Sequence, residues 1–482
     1  MSKALAFAVG LAVLYLCFLT ASHYWDGVLF SLYIEKVAER VLPPPTLLHP
    51  NHLLYSPLGY GVYKLLHFSG APVRSISALQ FTNVLASVCC SLLVFRMCRR
   101  SFASPDLAWS CTLLFALGAT WWKFSTDADA YIISVLLCVA AVECVLATHV
   151  RLAIAGVCLS FAMLFHQLGV FAYIPILAGI WCERRGTKER VRRVLAFVFL
   201  TSAATAATYY VAYIWTHSGQ STPSFVQWVT SVSNDTQTTH SFGQLVASNV
   251  ASYLKLFGGG KLALIRDFFS APVIIALLSC LACATATAIS AVRTSGSRPS
   301  LPGEIDRRTR TVLWSWVAAY FVFLSWFEPG NAFYKLFVWP PIVVLIGCYL
   351  QSHRRASKAF RWFTLGLASW NFAAFIYPHS RVDADPVLSL AKRIDRELPR
   401  TATVYYKALS PDDWYLEYFA PGRRWEPLGS PNEIRKASAA APVCFESTAL
   451  PYVETEADPS LSWSLVNSQH NIRLECVKWK PD

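Results

Sequence analysis

The sequence predicts a mainly α-helical fold. It reads as a polytopic transmembrane bundle of about eleven spans, with interfacial helices in the first outer loop and a small α/β domain at the C-terminal end. Three observations predict it. Of 482 residues, 55% are hydrophobic and only 15% charged, and the mean hydropathy is +0.40, too apolar for an ordinary soluble protein. The apolar residues gather in runs near the length a membrane crossing needs. Between the runs, the Lys and Arg clusters fall on alternate loops, as the positive-inside rule requires.

The elements follow in order. MSK and residues 4–22 resemble a signal peptide, but the polytopic chain that follows makes this an uncleaved first span. Further spans are expected at 75–95, 106–124, 130–150, 152–165, 168–182, 194–215, 271–292, 311–327, 332–350 and 360–377. The stretch 152–182 is long enough for one crossing, yet Arg151 and the cluster 183–193 belong on the same side. The chain therefore crosses an even number of times there, as a short helical pair with His166-Gln167 at its tip. RMCRR (96–100), ERRGTKERVRR (183–193), 293–310 and HRRASKAFR (353–361) then face the cytoplasm. The N-terminus is cytoplasmic and the C-terminus extracytoplasmic in this reading, and the placement expected is the bacterial inner membrane.

Residues 1–377 form the membrane domain and 378–482 an outer domain. In the tail, TATVYYKAL (401–409) reads as a strand and PDDWYLEYF (411–419) as a helix start, with turns at PGRR and SPNE. Twelve of the 14 cysteines lie in or beside apolar runs, where Cys acts as a small hydrophobe. Only Cys444 and Cys476 lie in the polar tail, and if it is extracytoplasmic those two can pair. The net charge of +13 reports topology rather than a nucleic-acid partner. The sequence has no Gly-rich phosphate loop of the nucleotide-binding types and no repeat of solenoid period.

The conspicuous acidic motifs all fall on the outer face. Asp26 stands where the first span meets a long loop. Residues 27–41 separate Val28, Leu32, Val37 and Val41 from Glu35, Lys36, Glu39 and Arg40, the pattern of a helix lying flat on the membrane. His49-Pro50-Asn51-His52 forms a turn before a second amphipathic helix over 57–67. Asp127 and Asp129 stand between spans three and four, Glu328 and Asn331 between two later spans, with Lys335 four residues on, and Arg74 at the start of span two. Each has a plainer reading: Asp26, Asp127 and Asp129 as helix caps, His49 and His52 as turn residues bonded to backbone, Glu328 and Lys335 as a surface ion pair. The polar loop 231–244 is a candidate lid over a substrate, or a plain flexible connection.

The outer-face Asp after span one, the flat helices of the first loop and the HP..YSPLGY-like segment resemble the membrane glycosyltransferases of the GT-C superfamily, most of all the protein O-mannosyltransferase-like branch. WWKFSTDADAYIISVLL (121–137) and WFEPGNAFYKLFVWPP (326–341) support the resemblance, which covers roughly the first 350 residues. The sequence departs from the family pattern in carrying a lone Asp26 rather than an adjacent acidic pair, and two Asp residues flanking Ala128. An i, i+2 pair faces one way only on an extended strand or turn.

The resemblance implies an enzyme, a hexosyltransferase-like glycosyltransferase. It would take a sugar from a polyprenyl-phosphate donor to a protein, lipid or glycan acceptor at the outer face, through an oxocarbenium-like transition state. Asp26 is then the catalytic general base. Asp127, Asp129, Tyr131, His49, His52, Glu328, Asn331, Lys335 and Arg74 are candidate substrate contacts, with Lys335 foremost for the phosphate. Asp127 and Asp129 are also candidate ligands for a divalent cation, Mg2+ or Mn2+. Two other readings share the same sequence: a transporter or flippase of lipid-linked saccharide, and a non-catalytic scaffold of the same fold.

Overall fold

The computed structural model describes residues 3–217, 223–231, 241–292, 305–351, 354–397, 400–406, 412–427, 443–446, 461–467 and 472–477. The expected SPNE turn, most of the candidate lid and the side chains of Cys444 and Cys476 lie outside the described residues.

Every expected span falls on helix. Helix α1 (Lys3–Cys17) leads to α2 (Trp25–Ala38) and α3 (Tyr55–Phe68) in the first loop, and α4 (Ser75–Ser101) crosses next. The third span is broken into α5 (Pro105–Leu117) and α6 (Ala119–Ser125), followed by α7 (Tyr131–Leu146), α8 (Leu152–Phe165) and α9 (Tyr173–Trp181). His166 turns extended between α8 and the short 3-10 stretch Gln167–Ala172, so the helical pair with its tip at His166 forms as expected. The long helix α10 (Thr187–Thr216) is followed by α11 (Phe225–Thr230), α12 (Phe242–Phe257), α13 (Leu262–Asp267) and α14 (Ala271–Val292). Then come α15 (Arg307–Phe327), α16 (Trp339–Gln351), α17 (Arg354–Asn371) and α18 (Tyr377–His379), with a π-helical segment Phe372–Ile376 between the last two.

Three of these helices, α4, α10 and α14, are long and apolar enough to cross a membrane alone. Several of the others are interrupted, and an interruption frees carbonyls that lipid cannot satisfy. Buried aromatic donors close those gaps. Tyr15 Oη donates to Ala116 O at 2.6 Å and Trp339 Nε1 to Phe115 O at 3.0 Å, both just before the α5–α6 break. Trp316 Nε1 donates to Phe337 O and Tyr320 Oη to Leu168 O, each within a 3-10 turn. The break itself is at Gly118, whose backbone turns extended; a Cβ there would lie 2.7 Å from Leu256 O. The abundance of Trp and Tyr thus serves the broken helices as well as the core.

The two ends of the bundle differ. Arg96 and Arg100 pair with Glu143, Arg308 donates to Gly179 O and Val145 O, and Gln351 accepts from Ala103 N, so the arginine-rich ends of α4, α7, α9, α15 and α16 meet on one face. The first loop, the α6–α7 turn and the His166 tip meet on the other.

Helix α2 ends at Ala38, short of the expected Val41, which is exposed; Arg40 adopts a left-handed φ of 63° that closes the helix. Val28, Leu32 and Val37 are buried as expected, and Phe30 and Ile34 are buried too. The helix is covered on more than one side, because α3 and α4 pack on it, and so does α20 (Asp412–Phe419) from the tail.

The tail contributes α19 (Pro386–Glu397) and a five-stranded sheet ordered β2 (Arg424–Pro427), β1 (Thr403–Tyr406), β3 (Val443–Glu446), β5 (Ile472–Val477), β4 (Leu461–Asn467). Strand β1 is parallel to both neighbours, whereas β5 is antiparallel to β3 and β4. The β3–β5 register sets the backbones of Cys444 and Cys476 opposite each other.

Candidate active site

The site is built around the turn Thr126–Ala130 between α6 and α7. Two amide side chains on α4 hold it. Asn83 Nδ2 lies 2.8 Å from Asp127 O, 2.7 Å from Asp129 O and 3.1 Å from Tyr55 Oη. One turn earlier, Gln80 Nε2 donates to Thr20 O and Thr126 O, each at 2.9 Å. The chain leaving α1 is thereby tied to the turn that carries the two aspartates.

Asp26 sits in the first turn of α2, but it is not the cap: Tyr24 holds that position, with no side-chain capping bond. Gly27 presses the start of α2 onto the turn, since a Cβ at this position would lie 2.2 Å from Ala128 O. The contact places Asp26 against the Asp127–Asp129 segment. The residue is half-buried, and burial pushes its pKa from 3.8 up to about 7.

Asp127 is engaged on both oxygens. Oδ2 accepts from Lys123 Nζ at 2.6 Å and from Tyr24 N at 3.0 Å, while Oδ1 accepts from Ala128 N at 2.8 Å and lies 3.3 Å from His23 Nδ1. Burial alone would raise this carboxyl, but the Lys123 ammonium and His23 override it and hold the group well below the usual range. Asp127 is a buried anchor. Asp129 differs: Oδ1 accepts from Ala130 N at 2.6 Å, whereas Oδ2 is buried without a hydrogen-bond partner. Burial first, then the negative charges of Asp26 and Asp127, raise its pKa well above the normal value.

Both oxygens of Asp127 are engaged, with Lys123 as the nearest cation, and among the described residues no three His, Cys, Asp or Glu side chains are grouped to hold a metal.

Aromatic rings pack beside the acids. Tyr24 lies 4.8 Å from Phe333, Tyr131 lies 5.2 Å from Phe333 and 5.7 Å from Tyr334, and Phe124 lies 5.7 Å from Tyr131, between ring centres. His52 and His166 are 4.7 Å apart behind Tyr131, both buried, with His52 Nδ1 and His166 Nε2 lacking hydrogen-bond partners. Burial pushes the His52 imidazole well below its ordinary pKa, with the neighbouring histidines adding to the shift. The structure therefore brings Asp26, Asp129, Tyr131 and His52 together.

The other candidates lie elsewhere. Lys335 is fully buried and turned to α12, donating to Asn249 Oδ1 and Pro329 O at 2.9 Å each, with Tyr253 under its ammonium at 4.8 Å. Those bonds use two of the three N–H groups of the ammonium. Asn331 Oδ1 accepts from Phe333 N and Tyr334 N and shapes the turn that carries those rings, with Glu328 half-buried just before it. His49 Nδ1 accepts from Asn51 N, the turn role open to it from sequence. Arg74 belongs to the seam with the tail: its guanidinium reaches Glu35 at 2.8 Å and Tyr418 O at 2.8 Å, and lies 4.0 Å above the Tyr418 ring.

Sequence reasoning missed His23, Tyr24, Lys123 and Tyr334, and it placed His166 at the helical tip without joining it to the site. Lys123 stands four residues before Asp127, a pairing distance once α6 is taken to reach that far. His166 carried a signal at the helical tip; the ring pair it makes with His52 spans 114 residues of chain and has no local signature.

No protein-family model matches the sequence, and no curated protein does. The structure is similar to that of ArnT from Cupriavidus metallidurans bound to undecaprenyl phosphate, over 99% of this chain and 99% of that one, at 11% identity and a TM-score of 0.57. At this identity the likeness shows the fold, the polytopic helical fold of the GT-C type. Weaker likenesses are to the arabinofuranosyltransferase AftD from Mycobacteria (11% identity, 100% of this chain, 40% of that one, TM-score 0.48) and to the Archaeoglobus fulgidus oligosaccharyltransferase (14% identity, 89% and 65%, TM-score 0.44).

Proposed function

We propose that this chain is a membrane glycosyltransferase, hexosyltransferase-like, that moves a sugar from a polyprenyl-phosphate donor to an acceptor hydroxyl at the face bearing Asp26. The observation that carries the reading is the state of Asp26: uncapped, partly accessible, pressed against the Asp129 turn, with a pKa raised to about 7. A carboxylate poised near neutrality suits a general base. In the step, the acceptor O–H gives its proton to Asp26 as its oxygen bonds to the anomeric carbon. The carbon–oxygen bond to the lipid phosphate breaks, and its electron pair leaves with the phosphate.

Tyr24, Phe333 and Tyr334, each partly exposed, form the wall against which the apolar face of the sugar lies, with Tyr131 and Asp129 buried behind them. Fold likeness over both full chains to an enzyme bound to undecaprenyl phosphate supports a polyprenyl-phosphate donor. The kinship to the O-mannosyltransferase branch rests on the local motifs alone. The positive-inside rule places the arginine-rich face toward the cytoplasm and Asp26 outside, as in a bacterial inner membrane.

The test is sugar transfer by purified protein in lipid, offered a panel of polyprenyl-phosphate sugars with protein, lipid and glycan acceptors. Appearance of a glycosylated acceptor and free polyprenyl phosphate supports the reading. Donor that crosses the bilayer with its sugar still attached, and no product, replaces it with a flippase.

A further inference from the structure

We propose that an anionic diacyl phospholipid binds at the arginine-rich face, with its phosphate in an arginine-lined cavity and one acyl chain in the groove between α8 and α10. Two adjoining hollows carry the inference. The first, of about 1030 Å3, is enclosed by the α7–α8 connection, the α9–α10 connection and the start of α15. Five arginines line it: Arg184, Arg185, Arg307, Arg308 and Arg310. Two acids oppose them, and both are already engaged. Asp306 caps α15 through Arg308 N and Thr309 N. Glu183, 6% exposed at its side chain, pairs with Arg185, Arg193 and Arg308. Arg184, Arg307 and Arg310 are exposed and are left to face the cavity.

The second hollow, of about 610 Å3, is an apolar groove between α8 and α10, floored by Gly156 and walled by Val157, Phe161 and Leu200. Its outer edge faces lipid, since Phe199 and Leu195 beside it are 71% and 63% exposed. Arg192 and Arg193 stand at one end. Arg193 lines the groove and pairs with Glu183, which lines the cavity, so the two hollows share a wall.

The positive-inside rule accounts for arginines on this face but not for a cavity with a chain-wide apolar groove beside it. Guanidinium groups in a concavity suit a phosphodiester, and basic pockets between spans on this side of a membrane are where anionic headgroups bind. Charge thus selects the anionic headgroup, and the groove selects a lipid over a free phosphate. The inference does not depend on glycosyl transfer.

Native mass spectrometry of the full, delipidated protein tests it, with phosphatidylglycerol or phosphatidylcholine of identical chains added. The expected result is one phosphatidylglycerol retained about a hundredfold better than phosphatidylcholine, on the order expected for three surface arginines at about 1 kcal/mol each. The triple variant Arg184→Ala/Arg307→Ala/Arg310→Ala, which leaves the Glu183 network intact, brings the two lipids to parity. Val157→Trp, a lipid-facing change that fills the groove, removes retention of that lipid. Equal binding of both lipids by the unaltered protein overturns the proposal, and so does a triple variant that keeps its preference. Displacement of phosphatidylglycerol by equimolar polyprenyl phosphate overturns it in favour of the carrier lipid.

Discussion

Gly27→Ala is the smallest perturbation that separates the Asp26–Asp129 arrangement from the fold that carries it. The added Cβ would lie 2.2 Å from Ala128 O, where ordinary contact begins at 3.4 Å, so the start of α2 and the turn must part by about 1.2 Å. The obstacle is a backbone oxygen, so no rotamer relieves it, and Ala128→Gly does not rescue it. Overpacking of this kind costs about 1–3 kcal/mol, which a bundle of this size survives. A displacement near 1 Å at a reacting group costs about a hundredfold in rate. The assay is sugar transfer by the folded variant beside its thermal midpoint: rate should fall about a hundredfold while the midpoint moves by a few degrees at most. Unchanged transfer by Gly27→Ala would refute the argument that this contact sets the position of Asp26.

Further outcomes follow from the same geometry. Asp26 holds its proton more tightly in the folded state than its ordinary value of 3.8 allows, so its contribution to stability is intact below about pH 4 and is lost as pH rises through about 7. The loss is at most about 4 kcal/mol, and Asp26→Asn should flatten this dependence and melt higher than wild type at pH 8; a variant that melts lower there contradicts the burial argument. Asp127→Asn leaves Lys123 buried without its charge partner and should cost about 3 kcal/mol of stability, with the Mg2+ and Mn2+ dependence of transfer unchanged; a shifted metal dependence would restore Asp127 as a ligand. Glu35→Ala removes the acceptor shared by Arg74, Ser75 and Tyr418, so hydrogen exchange should rise across 412–419 while residues around Asp26 keep their protection; uniform protection would show that the seam does not depend on Glu35.

Much of the bundle was legible because long apolar runs and arginine clusters act locally: each span could be read from its own twenty residues. The His166 tip was legible for the same reason, since charge parity forced a double crossing of 152–182. The helix breaks were not. Gly118 is an unremarkable residue in an apolar run, and its role depends on Leu256 and Trp339, far along the chain. Asp26 could be singled out from its place at a span end, but its separation from Asp127 in character could not. That difference arises from Lys123, His23 and Tyr24 N, which saturate Asp127 and do not reach Asp26. Lys335 and Arg74 show the limit of reading charge by position. Both were placed at the outer face, and the structure turns one to Asn249 and the other to Glu35. The docking of α20 on α2, which brings Trp414 within 5.6 Å of Trp25, joins segments almost 390 residues apart and leaves no local trace.

The central claim is that Asp26 is the base of a glycosyl transfer. Sugar transfer from the active polyprenyl-phosphate donor by purified protein in lipid, wild type against Asp26→Asn, tests it most directly, because the substitution keeps the size and removes the proton acceptor. The account predicts transfer by wild type and loss of about a hundredfold or more in a variant that still folds and still binds donor. Equal transfer by the two proteins would contradict it.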